Sequence, residues 1–361
     1  MVTAAVDGPH PPARDRPFRR YPTVIGEALD SVLEASIVGS FSRAGYLLRR
    51  RVGHFAPLAR LEGRVVLVTG ASSGIGRAAA LALGALGAEV LVNGRDTARA
   101  ESVVAEIRGA GGGAQVARFD VADPVQVDAF ADLLGSRRDR LDGLLHCAGG
   151  LARQYQSAPD GVELTVATHV LGPFRLTLRL APLLINAARA TIVTVSSGGM
   201  YTERFDPARL ETSREHYDGV RAYARAKRAQ VVLAHEWARR LAPFGVASYA
   251  MHPGWVDTPG LARGLPGFAR LGFLLRRPEE GADTAVWLLA ERPRPGDRTG
   301  APGASEVLDG FFHDRRRRSE HYLPRTRPRG GAGDEGRRLW CWCLERSAPG
   351  AGTGAAVPEW A

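Results

Sequence analysis

Lysine is nearly absent from this chain of 361 residues. Of its 48 lysine and arginine residues, Lys227 alone is a lysine. Solvated positions tolerate either cation, but the two differ where a compact ammonium must reach a ligand on a flexible stem. Because Lys227 stands four residues after Tyr223, in the stretch "YARAKRAQ", we expect a specific role for it there.

Cysteine is also scarce, and long apolar runs are missing. The 3 cysteines are too few for a disulfide framework, so we expect a reducing, cytoplasmic location. The "WCWC" pair lacks a second pair of ligands, and we expect no metal. No run approaches the roughly 20 apolar residues of a membrane-spanning helix, and the first residues lack the apolar core of a secretory signal.

The net charge of +10 invites comparison with nucleic-acid-binding proteins. The excess, however, lies mostly at the two ends of the chain. Residues 1–60 carry 9 arginines against 5 acids, and residues 311–361 carry 10 against 6. The long middle segment is therefore almost neutral, and we expect no nucleic-acid partner.

The chain divides into four segments. We predict a disordered N-terminal tail at 1–22, an amphipathic helical extension at 23–60, one domain at 61–323 and a disordered C-terminal tail at 324–361. Apolar side chains recur at helical spacing between residues 24 and 51, and this segment ends in the basic run "RRR". Such a stripe either docks on its own domain or lies on a membrane surface; docking is the favoured alternative.

From residue 64 onward, short apolar strands alternate with helical stretches. The strands are "RVVLVTG", "EVLVNG", "LDGLLHCAG", "ATIVTVSS" and "VASYAMHPG". Later helices are expected near 124–138, 161–186 and 220–242. This alternation predicts an α/β fold, a Rossmann-type doubly wound parallel sheet forming a single domain with N- and C-terminal extensions.

A glycine-rich loop, "TGASSGIG", follows the first strand and opens the first helix. Its glycines allow a tight turn and close approach of the backbone to pyrophosphate, and the helix N-terminus offers free N–H groups to phosphate. We therefore predict dinucleotide binding by Thr69, Gly70, Ser72, Ser73, Gly74, Ile75 and Gly76.

The end of the second strand, "VLVNGRD", bears on the choice of cofactor. An acid there would bind the adenosine ribose and repel a 2′-phosphate. Instead Arg95, helped by Arg77, can pair with that phosphate, while Asp96 is expected to cap the next helix. We predict NADP(H) in preference to NAD(H).

Tyr223 and Lys227 are one helical turn apart on one face. A phenol titrates near pH 10, but an adjacent ammonium and a cationic nicotinamide favour the phenolate. Ser197, at the end of "ATIVTVSS", can donate a hydrogen bond to a substrate carbonyl oxygen.

In their order, "TGASSGIG", "VSS", "YARAK" and "HPGWVDT" resemble the short-chain dehydrogenase/reductase family over about residues 61–315. More narrowly, "TVSSGGM", "MHPGWVDTPG" and "FFHDR" are similar to its dehydrogenase/reductase member twelve subgroup. The resemblance implies an NAD(P)(H)-dependent oxidoreductase that interconverts a carbonyl and an alcohol on a small molecule. It also implies a homodimer or homotetramer, since the family commonly pairs through the helix carrying Tyr223.

The resemblance assigns roles to individual residues. Ser197 would orient the substrate, Tyr223 would be the acid–base, and Lys227 would hold the nicotinamide ribose and lower the tyrosine pKa. Tyr223 and Lys227 thus also count as cofactor contacts. The further cofactor contacts implied are Asp120, Val121, Ala148, Gly149, Pro253, Gly254, Val256 and Thr258.

The sequence departs from the family pattern in two histidines. "HCAG" with His146 stands for the family's "NNAG", and His169 in "THVLG" replaces the asparagine that holds a relay water. An imidazole could bridge the relay itself, alter it, or be a hydrogen-bonded helix residue. The serine–tyrosine spacing of 26 exceeds the family's usual dozen and resembles the retinol-dehydrogenase-like branch, where an insertion borders the substrate mouth.

The loop after Thr258, "PGLARGLPGFARLGFLL", is apolar with glycine and proline hinges. It indicates a lid over a lipophilic substrate, with core packing as the alternative. A second hypothesis for the whole chain is a cofactor-binding regulator or scaffold with little catalysis, whose basic ends contact a membrane or partner. The histidine replacements favour that hypothesis and the serine–tyrosine–lysine set opposes it.

Overall fold

The computed structural model describes residues 24–53, 55–293, 308–328 and 332–347. They form one sheet with strand order β3-β2-β1-β4-β5-β6-β7-β8, in which only β7 and β8 pair antiparallel. The predicted Rossmann-type parallel sheet is confirmed. The strands are β1 (Val65–Val68), β2 (Glu89–Asn93), β3 (Gly113–Ala117), β4 (Gly143–His146), β5 (Thr191–Val195), β6 (Ala247–Met251), β7 (Phe311–His313) and β8 (Arg316–Arg317).

Helices precede, flank and follow the sheet in the described ranges. They are α1 (Val24–Ala35), α2 (Ile37–Phe41), α3 (Arg43–Val52), α4 (Gly74–Ala85), α5 (Thr97–Gly109), α6 (Pro124–Gly135), α7 (Leu164–Val166), α8 (Gly172–Asn186), α9 (Gly219–Leu241), α10 (Pro259–Gly264), α11 (Pro266–Ala269), α12 (Pro278–Glu291) and α13 (Ala332–Ser347). A π-helical turn, Ala167–Leu171, joins α7 to α8.

The strands are buried on both faces, as β1 illustrates. Its four residues are all buried, and successive side chains point to opposite sides. Val65 and Leu67 pack in the core that includes α6, α8 and α9. Val66 and Val68 pack in the core that includes α4, α5 and α12. The continuous apolar runs in the sequence reflect this double burial, whereas β3, "GAQVA", is partly exposed and too weakly patterned to be predicted.

The N-terminal extension folds into three short helices, α1, α2 and α3, and not into one continuous amphipathic helix. Ser36 and Ser42 interrupt it, and each hydroxyl caps the helix that follows. Phe41 and Arg49 are buried against the domain. The extension therefore docks on its own domain, as the favoured alternative predicts. Among the side chains of the extension that the structure describes, four large apolar ones are exposed: Val32, Ile37, Val38 and Leu47. Membrane contact through 24–51 remains a prediction, and no helix in the described ranges is long and apolar enough to cross a bilayer.

The predicted C-terminal tail at 324–361 is wrong over residues 332–347, which form α13. The Trp340 ring is buried, with its centre 5.0 Å from that of Phe174 and 4.6 Å from that of Trp237. The sequence does not predict this helix, because the segments on either side of it are rich in glycine and proline. Its buried face packs against apolar residues that are far away in the chain. α13 packs on α9 around Trp237. Because α9 also carries Tyr223, α13 covers part of the helix expected to mediate pairing of subunits, and that pairing stays a prediction.

The two cysteines near the C-terminus lie in different environments. Cys341 is exposed and Cys343 is buried, so the "WCWC" pair does not share one environment. Among the residues that the structure describes, no group of three side chains could hold a metal ion. The predicted tail at 1–22 and the segment 348–361 lie outside the described residues.

Replacing Trp340 with alanine tests whether α13 is part of the core. We expect Trp340→Ala to lower the free energy of unfolding by about 3–5 kcal/mol, because a fully buried indole leaves a cavity. Trp342→Ala is the matched control, since Trp342 is only half-buried and should cost about 1 kcal/mol. Urea unfolding measures both values, and equal small losses would show that α13 does not dock.

Candidate active site

A cleft of about 680 Å³ opens at the carboxyl ends of the central strands. The strand order reverses here, between β1 and β4, which is where open parallel sheets bind ligands. Every cofactor and catalytic residue predicted from the sequence lines this cleft, apart from Thr69 and Arg77. The loops that carry them are far apart in the chain and meet because parallel strands all end at one edge.

Thr69 is buried directly behind the residues that line the cleft. Its hydroxyl donates to the Leu145 carbonyl oxygen at 3.2 Å and accepts from the N–H groups of Cys147, at 3.0 Å, and Ala148, at 3.1 Å. Gly70 is pressed against the same turn, because a Cβ there would stand 2.7 Å from the Ala148 Cα. Thr69 therefore joins the ends of β1 and β4 and shapes the cleft from behind.

The N-terminus of α4, where the sequence predicts that the cofactor phosphates bind, forms part of the cleft wall. Its N-cap residue, Ser73, makes no side-chain cap bond within the described part of the chain, so the first turn can offer N–H groups to an anion. Asn93 supports the glycine loop: its side chain accepts from the Gly70 N–H at 3.2 Å and donates to the carbonyls of Ala117, at 3.0 Å, and Phe119, at 2.9 Å. No motif predicted this role for Asn93.

Two arginines line the part of the cleft where the sequence predicts that the adenosine of the cofactor binds. The Arg95 side chain is 74% exposed and lies 3.5 Å from the Asp120 carboxylate. Arg99 also lines the cleft and is held by Asp96 at 2.6 Å, while Asp96 caps α5 as predicted. The prediction that Arg77 helps to bind the 2′-phosphate is wrong. Arg77 pairs with Glu106 on α5 and does not line the cleft.

Ser197 and Tyr223 meet at the opposite end. Ser197 follows β5 and caps the turn at Gly198–Thr202. Burial raises the pKa of Tyr223 to about 12, and a hydrogen bond from Ser197 opposes that rise. The serine hydroxyl and the phenol are therefore close enough to act on one substrate oxygen.

Lys227 is buried one turn along α9. Its ammonium is 5.4 Å from the centre of the Tyr223 ring and donates to the Val195 carbonyl at 2.8 Å and to Gln230 Oε1 at 2.9 Å. Burial lowers the pKa of Lys227 to about 8. Ser197, and not Lys227, is the group that lowers the pKa of Tyr223 in this geometry, so tuning of the phenol by the lysine stays a proposal.

His169 lies in the π-helical turn between α7 and α8, a distortion that often marks functional sites. Its Nε2 is 3.0 Å from the Gly150 carbonyl oxygen, to which a protonated Nε2 donates, and 3.4 Å from the Gly150 N–H, from which an unprotonated Nε2 accepts, so either tautomer finds a partner at Gly150. The buried Nδ1 finds no partner among the described residues. The ring meets Tyr223 edge-on, with centres 5.4 Å apart, and burial, then Lys227, lowers the pKa of His169 to about 3.

His146 is separate from this group. Its Nε2 lies 2.8 Å from the Thr177 hydroxyl on α8, and the residue does not line the cleft. Burial lowers the pKa of His146 to about 3. This histidine therefore belongs to the packing between β4 and α8.

The mouth beyond Tyr223 is largely apolar. The loop after Thr258 forms two short helices, α10 and α11, that border the cleft. Phe268 packs edge-on to Trp255 with ring centres 5.0 Å apart, and a lid over the substrate stays a prediction. Apolar side chains along this mouth are Leu151, Leu164, Val220, Trp255, Leu261, Leu265 and Phe268.

Comparison with known proteins agrees with this geometry. Residues 64–264 match the sequence model of the short chain dehydrogenase family. The chain belongs to that family of oxidoreductases, whose Rossmann fold binds NAD(P). Within the family it groups with dehydrogenase/reductase SDR family member 12: the human protein is 36% identical over 265 residues, 73% of this chain and 80% of that protein.

Two further proteins show the range of the likeness. Mouse retinol dehydrogenase 14 is 33% identical over 302 residues, which cover 78% of this chain and 84% of that protein. The crystal structure of a short chain dehydrogenase from Burkholderia cenocepacia in complex with NADP is 27% identical, with a TM-score of 0.53, and covers 70% of this chain and 96% of that one.

Adjacent glycines give a test of the His169 contact. A Cβ at Gly149 would stand 2.0 Å from the His169 Cε1, whereas a Cβ at Gly150 meets nothing within 4 Å. We expect Gly149→Ala to lower the free energy of unfolding by about 1–3 kcal/mol through overpacking together with backbone strain at its positive φ of 150°, and Gly150→Ala to change it by less than about 0.5 kcal/mol. Urea unfolding measures both, and adding His169→Ala should relieve part of the first loss; equal effects of the two glycine changes would contradict the contact.

Proposed function

We propose that this protein interconverts a lipophilic aldehyde or ketone and its alcohol with NADP(H), using Tyr223 as the acid–base. The observation that carries the proposal is the convergence of Ser197, Tyr223, Lys227 and His169 at one end of the cleft, opposite the glycine loop. When bound, the nicotinamide supplies or accepts the hydride. The chain itself must orient the substrate oxygen and move its proton.

In the direction of reduction, Ser197 and Tyr223 both donate hydrogen bonds to the substrate carbonyl oxygen. Negative charge develops on that oxygen as the hydride reaches the carbon, and the two donors stabilise it. Tyr223 then gives up its proton, so that the product is an alcohol and the residue a phenolate. Because burial raises the pKa of Tyr223 to about 12, a nearby cation is needed to stabilise that phenolate, and Lys227 is the buried cation one turn away.

His169 is suited to the path by which Tyr223 regains its proton. In the tautomer whose Nε2 donates to the Gly150 carbonyl oxygen, the imidazole presents Nδ1 as a buried acceptor beside the Tyr223 ring. We infer that Nδ1 accepts a hydrogen bond from the relay that connects the site with solvent. Since the pKa of His169 is lowered to about 3, the imidazole stays neutral at physiological pH and serves as acceptor without titrating.

The choices of cofactor and substrate rest on the two ends of the cleft. Arg95 and Arg99 at the adenosine end suit a 2′-phosphate, and the Burkholderia cenocepacia structure carries NADP. The apolar mouth suits a lipophilic substrate. The likeness to a retinol dehydrogenase supports the same class of substrate.

Replacing Tyr223 with phenylalanine separates catalysis from cofactor binding. We expect Tyr223→Phe to lower turnover at least about 100-fold, as loss of a general acid does, and to leave NADPH affinity almost unchanged. Tyr249→Phe is the control, since it also removes one buried phenol hydroxyl, bonded to the Pro293 carbonyl, but on β6 outside the cleft. Turnover is measured on lipophilic aldehydes and ketones beside polar sugars, and NADPH binding by fluorescence. Binding by the unaltered chain without turnover on either panel would favour the cofactor-binding regulator instead.

Replacing Arg95 with alanine tests the preference for NADP(H). We expect Arg95→Ala to weaken NADPH binding about tenfold, because one charge-assisted hydrogen bond is lost, and to leave NADH binding nearly unchanged. Arg77→Ala is the control, since Arg77 pairs with Glu106 away from the cleft. Equal changes for both cofactors, or no change for NADPH, would exclude this role of Arg95.

A further inference from the structure

We propose that Phe41, in the N-terminal extension, is a positioning residue of the active site that holds the nicotinamide loop and the serine loop in register, with Arg276 as its support. Here the nicotinamide loop is residues 252–258 and the serine loop is residues 196–199. The inference rests on the proposed function, because that function assigns the first loop to the cofactor. It makes the extension a working part of the site.

Main-chain hydrogen bonds fasten the extension to the nicotinamide loop. The Phe41 carbonyl oxygen accepts from the Trp255 N–H at 2.9 Å and from the Arg276 Nε at 3.0 Å. The Ser40 carbonyl oxygen accepts from the Arg276 Nη2 at 2.8 Å. The backbone of Arg276 in turn pairs with the loop, donating to the Trp255 carbonyl at 2.6 Å and accepting from the Asp257 N–H at 2.9 Å. The loop is therefore held by the extension and by Arg276 together.

The contact is too close for a side chain at Gly254. A Cβ at that position would stand 2.4 Å from the Arg276 Nε and 2.7 Å from the Phe41 carbonyl oxygen. Gly254 also has a positive φ of 77°, which suits glycine. The backbone that is expected to face the cofactor thus lies directly on Arg276 and Phe41.

The Phe41 ring reaches both loops at once. It is 3% exposed, and its centre is 4.4 Å from that of His252 and 5.9 Å from that of Trp255. On the serine loop, a Cβ at Gly198 would stand 2.5 Å from the Phe41 Cε2. Since Gly198 directly follows Ser197, one aromatic ring separates the residue that orients the substrate from the loop assigned to the nicotinamide.

Buried charges keep this arrangement rigid. Arg276 donates to the two oxygens of Asp314 at 2.5 and 3.0 Å, and Arg49 of α3 donates to Asp314 at 2.9 Å and to Asp30 of α1 at 2.8 Å. Burial alone would raise the pKa of Asp314, but Arg276, His313 and Arg49 hold it well below its usual range. Separating the extension from the domain would leave these charges unpaired in the interior, which is strongly unfavourable.

The test compares Phe41→Ala with Phe41→Leu in the full chain. Ile107→Ala is the control for general loss of packing, because Ile107 is also 3% exposed but lies at the end of α5, remote from the cleft. We expect Phe41→Ala to weaken NADPH binding about tenfold, equivalent to about 1.4 kcal/mol, and to lower kcat, whereas Ile107→Ala loses thermal stability without either change. Phe41→Leu should restore most of the affinity, since it refills most of the apolar volume.

Two further measurements keep the outcome decisive. Hydrogen exchange at residues 252–258, measured without cofactor, should accelerate in Phe41→Ala and not in Ile107→Ala. If Phe41→Ala does not fold, Arg276→Lys replaces it: that variant keeps the charge beside Asp314 but loses the forked contact to the Ser40 and Phe41 carbonyls, and we expect the same changes. Unaltered NADPH affinity, kcat and exchange in a folded variant would overturn the inference. Failure of the unaltered chain to bind NADPH would instead overturn the proposed function.

Discussion

The parallel sheet imposes the constraint on which the site depends. Its strands are buried on both faces, so each backbone polar group must find its partner within the sheet. At the carboxyl ends this pairing stops, and the loops from β1, β2, β4, β5 and β6 turn away from the sheet. Groups that can bind a ligand therefore gather at that edge, where they line the cleft.

Burial also governs the electrostatics of the site. It raises the pKa of Tyr223 to about 12 and lowers that of Lys227 to about 8 and that of His169 to about 3. All three shifts favour the neutral form, since a charge is poorly solvated in this interior. A substrate oxygen that gains negative charge in such a place depends on fixed donors, and Ser197 and Tyr223 are the donors proposed for it.

The extension and the C-terminal helix extend the fold by different means. Arg49 and Arg276 bind Asp314 through buried ion pairs, whereas Trp340 enters an apolar core beside Phe174 and Trp237. Ion pairs with forked geometry fix register as well as position. That distinction fits the places where the contacts occur, because the extension packs behind two loops that line the cleft, whereas α13 packs on α8 and α9.

Local patterns determined much of this protein. The glycine loop, the apolar strands, the serine at a strand end and the Tyr223–Lys227 pair are each written in a few neighbouring residues, because turns, strands and helices follow short-range rules. The tertiary structure alone decided that Asn93 supports the glycine loop, that α13 joins the core, and that Phe41 lies between two loops more than 150 residues beyond it. Those contacts depend on shape and on buried charge partners brought together by the folded chain, and no periodicity in the sequence encodes them.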